Sequence, residues 1–380
     1  MLETVLQIGR EIAARHADDV DANARFPAES LQALRDAKVL SAAVPSEFGG
    51  AGLNIIELGQ QCFALAQYCS ATAMFLAMHH IQVACISDQV GDSREWRAYL
   101  RRLVDEQRLI ASVTSEVGPS GDLRQSIAAV EQSDKGVKLT KRATTISYGC
   151  QADDLLITAR SSASAKSNDQ VLLLAMKGQY RLEEVGVWDT LGMRGTCSPS
   201  AVVHGETPAW QILPGAFGDI ATRSMVPISH ILWGNVWLGI ATEAVSRARS
   251  LARAKARKSP GQLPVTAQHL SQVVAKLQLM RSEIEHATAR YAALRAAGDH
   301  STLDGVGYAI QMNNLKLNAS EAVSDIVLDA MRLSGISAYS NRGEYSCARL
   351  LRDALSASVM INNYRLRETN ATLLMVHKGN

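Results

Sequence analysis

The chain has 380 residues, above the roughly 250–300 at which one hydrophobic core stops growing, so two or three packed units are expected. With 47% hydrophobic and 20% charged residues it is neither disordered nor fibrous, and its formal charge of +2, from 39 basic and 37 acidic residues mixed along the chain, offers no footprint for nucleic acid or an anionic membrane. Its 6 cysteines show no CxxC pair or His-rich spacing, so they are expected as buried thiols in a reducing cytoplasm, with no disulfide and no metal site.

The N-terminal stretch MLETVLQIGREIAARHADD carries acids and bases throughout, so it reads as neither a signal peptide nor a membrane span. To about residue 108 apolar positions recur at helical spacing, as in LQALRDAKVL, IIELGQQCFALAQYC and TAMFLAMHHIQVACI. Pro27 suits the start of a helix, and VPSEFGGAGL reads as a glycine-bearing loop. From residue 109 the texture changes to short β-branched or alternating runs, LIASVTSEV, GVKLTKRATTIS, DDLLITAR, VLLLAMK and SAVVHGE, and the polar SSASAKSND reads as a hairpin connection. Beyond about residue 215 long helices are predicted over 222–258, 265–297, 305–334 and from about 345 to the end, lengths that point to an oligomeric bundle.

Six segments in chain order resemble the acyl-CoA dehydrogenase superfamily over nearly the whole chain. They are FPAESLQALRDAKVLSAAVPSEFGGAG; SVTSEVGPSGD; KRATTISYGCQADDLLITAR; LGMRGTCSPSAVV; ARKSPGQLPVTAQHL, in which Gly261 and Gln268 follow Arg257 at family spacing; and CARLLRDA. In the second, Ser115, Val117, Ser120 and Gly121 depart from the family's Thr-Glu-Pro-x-x-Gly-Ser-Asp, and in the third Thr145 replaces the usual Trp. The resemblance implies an α+β multidomain fold: an N-terminal helical domain over 1–108, a middle β-barrel domain over 109–215 and a C-terminal four-helix bundle over 216–380, assembled as a homotetramer or homodimer.

It also implies FAD as cofactor. Ser112, Thr114, Ser115, Thr145 and Ser147 would lie at the flavin, Arg257 and Gln268 would reach a neighbouring subunit's FAD, and Met331 and Gly335 are further expected cofactor contacts. An Arg guanidinium suits a pyrophosphate because its fork of donors matches two oxygens. The basic run RARSLARAKARK reads equally as a solvated helix face or as a partner of FAD or CoA phosphates. SEVGPSGD lacks the lysine and the strand-to-helix context of a phosphate loop. Trp233 and Trp237, one turn apart, are expected in the core or a subunit contact.

Relatives of this kind take a proton from the carbon alpha to a thioester, which needs a positioned carboxylate. The family spacing after Arg-Asp-Ala puts Ile361 where that glutamate stands, and the alternative position falls at Ser229, beside His230; neither residue is an acid. Asn363, His230 and Glu368 remain as catalytic candidates, and Gly121, His79, His80 and Ser229 as substrate contacts, imidazole being apt because it titrates near neutrality. The favoured expectation is oxidation of an acyl thioester carried on CoA or a carrier protein, with an unconventional base and a separate electron acceptor. A two-component flavin-dependent monooxygenase supplied by a flavin reductase is the alternative on the same fold, and a non-catalytic flavin or thioester binder the third.

Overall fold

The computed structural model describes residues 1–118, 122–258 and 266–377, so Gly121 and the SPGQLPV stretch with Gly261 lie outside the described residues. Helical periodicity sets the first third: α1 (Leu2–Ile8), α2 (Ala14–Ala22), α3 (Ala28–Asp36), α4 (Ile55–Ala66), α5 (Ser70–Ser87) and α6 (Arg94–Glu106). Asn54 opens α4 through a capping box, its Oδ1 accepting from the Ile56 and Glu57 amides while Glu57 accepts from the Asn54 N–H, an arrangement that contributes about 1 kcal/mol. α5 is buried around almost its whole circumference, because α4, α8 and the first strand pack on it.

Seven strands follow: β1 (Ile110–Val113), β2 (Glu131–Ser133), β3 (Gly136–Ala143), β4 (Asp154–Arg160), β5 (Gln170–Met176), β6 (Tyr180–Glu183) and β7 (Ala201–Thr207). Among the described residues they pair as two sheets, β1-β4-β5 and β2-β3-β7-β6. β4 and β5 are antiparallel neighbours joined by SSASAKSND, as the hairpin reading requires, and their near-continuous apolar runs are buried on both faces. β3 alternates, and its inward position 141 is a lysine whose Nζ donates to Thr158 O at 2.7 Å and Thr158 Oγ1 at 2.8 Å, tying one sheet to the other. Glu116, 3.8 Å from that ammonium, accepts from Ser126 Oγ and from the Ile127 and Ala128 amides, so the glutamate of SVTSEVGPSGD folds its own loop.

The helices resume with α7 (Phe217–Ile220), a π-helical turn at Ala221–Met225, α8 (Val226–Lys258), α9 (Thr266–Ala297), α10 (His300–Leu303), α11 (Val306–Ser334), α12 (Ile336–Tyr339), α13 (Ala348–Leu355) and α14 (Asn363–Val376). α8 packs along α4, α9 and α11 and forms the spine of this part. The single helix expected from about residue 345 is broken. A 3-10 turn at Ser356–Ser358 and a left-handed Ile361 (φ +54°) end it, and the Asn362 side chain caps a new start by accepting from the Tyr364 amide.

Two of the sequence motifs meet across 160 residues of chain. A Cβ on Gly192 would lie 2.0 Å from the Arg352 carbonyl, and Met193 N–H donates to Asp353 Oδ1 at 2.7 Å, so LGMRGT and CARLLRDA dock face to face. Arg352 pairs with Asp21, and Arg194 donates to the Asp21 carbonyl, which brings α2 into the same joint. No helix among the described residues is long and apolar enough to cross a membrane.

Candidate active site

The three parts enclose a cavity of ≈ 470 Å³. One wall is loop and strand end from the β part: Ser112, Thr114 and Ser115 follow or end β1, and Thr144, Thr145 and Ser147 follow β3. The two segments are laced together, Ser115 Oγ donating to Thr145 O at 2.7 Å and accepting from Thr145 N at 3.0 Å. Behind them a hydroxyl chain runs from Ser147 through Ser198 to Thr196, which donates to Met193 O at 2.8 Å. The signature turn LGMRGT thus reaches the cavity through its last hydroxyl.

The opposite wall is helical. α5 contributes Met74, Met78, Ile81 and Gln82, spaced by helical turns on one face. The start of α8 contributes Val226, Ser229, His230 and Trp233, and the broken C-terminal segment adds Val359, Met360, Ile361 and Arg365. Arg365 lies 3.5 Å from Asp122. Among the described residues no carboxylate lines this cavity.

His230 is the imidazole that does. It is buried, its Nδ1–H donates to the Met312 carbonyl at 2.8 Å, and Nε2 keeps its lone pair with no hydrogen-bond partner among the described residues. Burial lowers its pKa to about 4, the charge of Lys316 acting in the same direction, so the ring is neutral at pH 7. That places its basicity in the ordinary range of a carboxylate, about 4.

The other candidates are placed differently. His79 Nε2–H donates to Leu40 O at 2.7 Å and Nδ1 accepts from the Ile110 amide at 3.1 Å, so this ring joins α5 to β1 in the core. His80 is fully buried, and neither of its ring nitrogens has a partner among the described residues. Neither lines the cavity, because both point off the α5 face that carries Met74 and Met78. Asn363 is buried behind the wall, bound to Lys316, Ser320 and Glu321. Glu368 is exposed on α14 and outside the lining. Arg257 at the end of α8 and Gln268 at the start of α9 are exposed, and like Met331 and Gly335 they are not among the residues that line the cavity.

Several lining residues carry no motif. Trp188, Gln82, Met360 and Arg365 come from separate elements, and only the helical repeat of Met74, Met78 and Ile81 leaves a trace in the sequence. Trp233 and Trp237 are both buried in the core, as expected; Trp233 also forms cavity wall, and Trp237 one turn on lies beneath the Lys316 ammonium.

A wall of thioether and indole opposite a row of hydroxyls suits a flat aromatic heterocycle, which needs apolar faces and hydrogen-bonding edges, and the volume is that of ordinary ligand pockets, about 300–1,000 Å³. The comparisons agree with that chemistry. Residues 1–107 match the family model "Acyl-CoA dehydrogenase, N-terminal domain" and residues 227–360 match "Acyl-CoA dehydrogenase, C-terminal domain". The chain is 27% identical over 351 residues to cyclohex-1-ene-1-carbonyl-CoA dehydrogenase of Syntrophus aciditrophicus (strain SB), covering 91% of this chain and 81% of that one. It is 24% identical over 360 residues to the short-chain specific acyl-CoA dehydrogenase of Clostridium acetobutylicum, covering 93% and 92%. In fold it is like FMN-bound TdsC, a dibenzothiophene monooxygenase of Paenibacillus sp. A11-2, with a TM-score of 0.84, 16% identity and coverage of 100% and 98%. The chain belongs to the acyl-CoA dehydrogenase superfamily and is a flavin-dependent oxidoreductase.

Proposed function

We propose that the protein oxidises an acyl thioester, carried on CoA or an acyl-carrier protein, with His230 in place of the customary carboxylate base. The observation that carries this reading is the His230 imidazole, held at Nδ1 by Met312 and lining a cavity that no described carboxylate lines. In the step, the bond between the α carbon and its hydrogen breaks and the proton passes to Nε2. The electron pair left behind forms the α,β double bond as hydride departs from the β carbon. A bound flavin supplies the two-electron acceptor for that hydride. The Ser112, Thr114, Ser115, Thr145 and Ser147 wall fits the edge of such a ring, and Met78, Ile81, Trp233 and Met360 exclude water from the acyl chain.

The flavin is FAD in this reading. The protein is a cytoplasmic homo-oligomer in which Arg257 and Gln268, exposed and outside the lining of their own chain's cavity, serve a neighbour's cofactor, with Met331 and Gly335 as further contacts. The units are those drawn from the sequence, 1–108, 109–215 and 216–380. Asn363 and Glu368 have no part in the chemistry.

The test is an anaerobic titration of the flavin-loaded protein against a panel of acyl-CoA thioesters, followed at the flavin's visible absorption. Bleaching by at least one thioester is expected, and His230→Ala should bind it and bleach about 10²–10⁴-fold more slowly. A loaded protein that no thioester bleaches overturns the reading. The second reading, a monooxygenase fed with reduced flavin by a reductase, is favoured by the same lack of a lining carboxylate and by the fold likeness to TdsC. Its signature is substrate-dependent consumption of oxygen by the protein charged with reduced flavin.

A further inference from the structure

Lys316 takes no part in the chemistry above, and it is completely buried on α11. Its Nζ donates to the Ile361 carbonyl at 2.5 Å and to Asn363 Oδ1 at 2.6 Å, and it stands 5.9 Å from the centre of the Trp237 ring. Asn363 spends its own N–H groups on Ser320 Oγ and Glu321 Oε1, both at 3.1 Å. A charged head group is costly to bury beside neutral acceptors, and among the described residues no carboxylate is bonded to this one.

The residue it grips is unusual. Ile361 has φ +54°, a region that β-branched side chains avoid, and it lines the cavity at the position where relatives of the resembling kind carry their base. Such a conformation persists only where its surroundings over-determine it. Here the surroundings are the Lys316 bond to its carbonyl and the Asn362 cap that follows.

The same lysine shares its helix with the carbonyl that holds the imidazole. Met312, Lys316 and Ser320 recur every four residues and share one face of α11. At the first of these turns the Met312 carbonyl holds His230 Nδ1–H, at the second the ammonium sits, and at the third Ser320 meets Asn363. We infer that Lys316 is a positioning residue of this site, pinning the Ile361 turn as cavity wall and fixing through its charge how readily His230 takes a proton. The second half rests on the reading of His230 as base.

The groups that face this pair come from three helices and the C-terminal turn. Glu321 of α11 is the acid whose charge acts on Lys316 and is itself paired with Arg367 of α14; Trp237 and Trp233 of α8 contribute only rings; Arg365 adds a second positive charge at the cavity. Burial brings Lys316 down to about 7, with Glu321 opposing, so it is charged throughout the range in which His230 titrates.

The experiment follows His230 directly, by nitrogen-15 NMR of histidine-labelled holoenzyme across pH, in the unmodified chain, Lys316→Met and Lys316→Arg. In Lys316→Met the ring should take its proton at a pH higher by about one unit, with the acid limb of kcat/KM moving equally, while Lys316→Arg keeps the original value. In the unmodified chain the His230 signals should move a second time near pH 7, as Lys316 loses its proton, and this measurement holds even if Lys316→Met fails to fold. An unchanged His230 titration in folded Lys316→Met, or a single-step titration in the unmodified chain, overturns the inference. Coupling without any bleaching by thioesters leaves Lys316 in this role and removes the dehydrogenase reading instead.

Discussion

In the proposed reading, His230 offers the lone pair that a glutamate supplies in the relatives this chain resembles, and Ile361 stands where the family spacing puts that glutamate; both line the cavity. Isoleucine cannot accept a proton, but its side chain is on the cavity wall, so the wall itself is in position for a base. Ile361→Glu in a His230→Ala background is therefore expected to restore thioester-dependent bleaching by about 10²-fold over His230→Ala alone, read by anaerobic stopped flow. No gain from the added carboxylate, with the cofactor still bound, would show that the α carbon sits elsewhere in the cavity. Lys141 illustrates the opposite use of a buried ionisable group. Its ammonium is spent on Thr158 and Glu116, its pKa lowered to about 8 by burial, and it faces no ligand space.

Between elements, the joint of the LGMRGT turn with α13 decides where the cavity's C-terminal wall stands. Gly192 allows the Arg352 carbonyl an approach that any side chain would block, and Asp353, buried and raised in pKa by that burial, still accepts from Met193 N–H. Gly192→Ala is expected to cost about 1–3 kcal/mol of stability, because the obstacle is backbone and cannot rotate away. Urea unfolding reads the loss; Gly205→Ala, with open space around its Cβ position, serves as the control and should cost far less. The capped break before α14 matters in the same way, since an unbroken helix from α13 onward would carry Met360 and Ile361 out of the wall.

At the scale of the whole molecule, three buried histidines set the response to acid. His79 and His230 are lowered by burial to about 4 and His80 well below its ordinary value, whereas the unfolded chain takes up protons at about 6.5. Between those values the unfolded state binds more protons than the native one. Stability is thus complete above pH 6.5 and falls as pH drops towards 4, by about 3 kcal/mol for each of His79 and His230. Urea midpoints that stay level between pH 7 and 5 would contradict this. Assembly is testable at the same scale. Ile336, Tyr339, Tyr364 and Met375 are each more than two-thirds exposed, at 80%, 68%, 80% and 83%, and light scattering is expected to report a dimer or tetramer that covers such surface. A monodisperse monomer would leave Arg257 and Gln268 with no neighbouring cofactor to serve.

Hydrophobic period and turn chemistry, which are properties of a dozen consecutive residues, were enough to read the α, β, α order, the β4–β5 hairpin and the long helices α8, α9 and α11. Motif spacing was enough to gather Ser112, Thr114, Ser115, Thr145, Ser147, Ser229 and His230, all of which line one cavity. What spacing along a chain does not carry is direction across it. His79 turned into the core because the Leu40 carbonyl and the Ile110 amide were there to meet it; Asn363 was taken by Lys316; and the last helix broke at a residue whose strain is held by a lysine 45 positions away. Those outcomes depend on which groups packing brings within about 3 Å, and only the folded chain decides that.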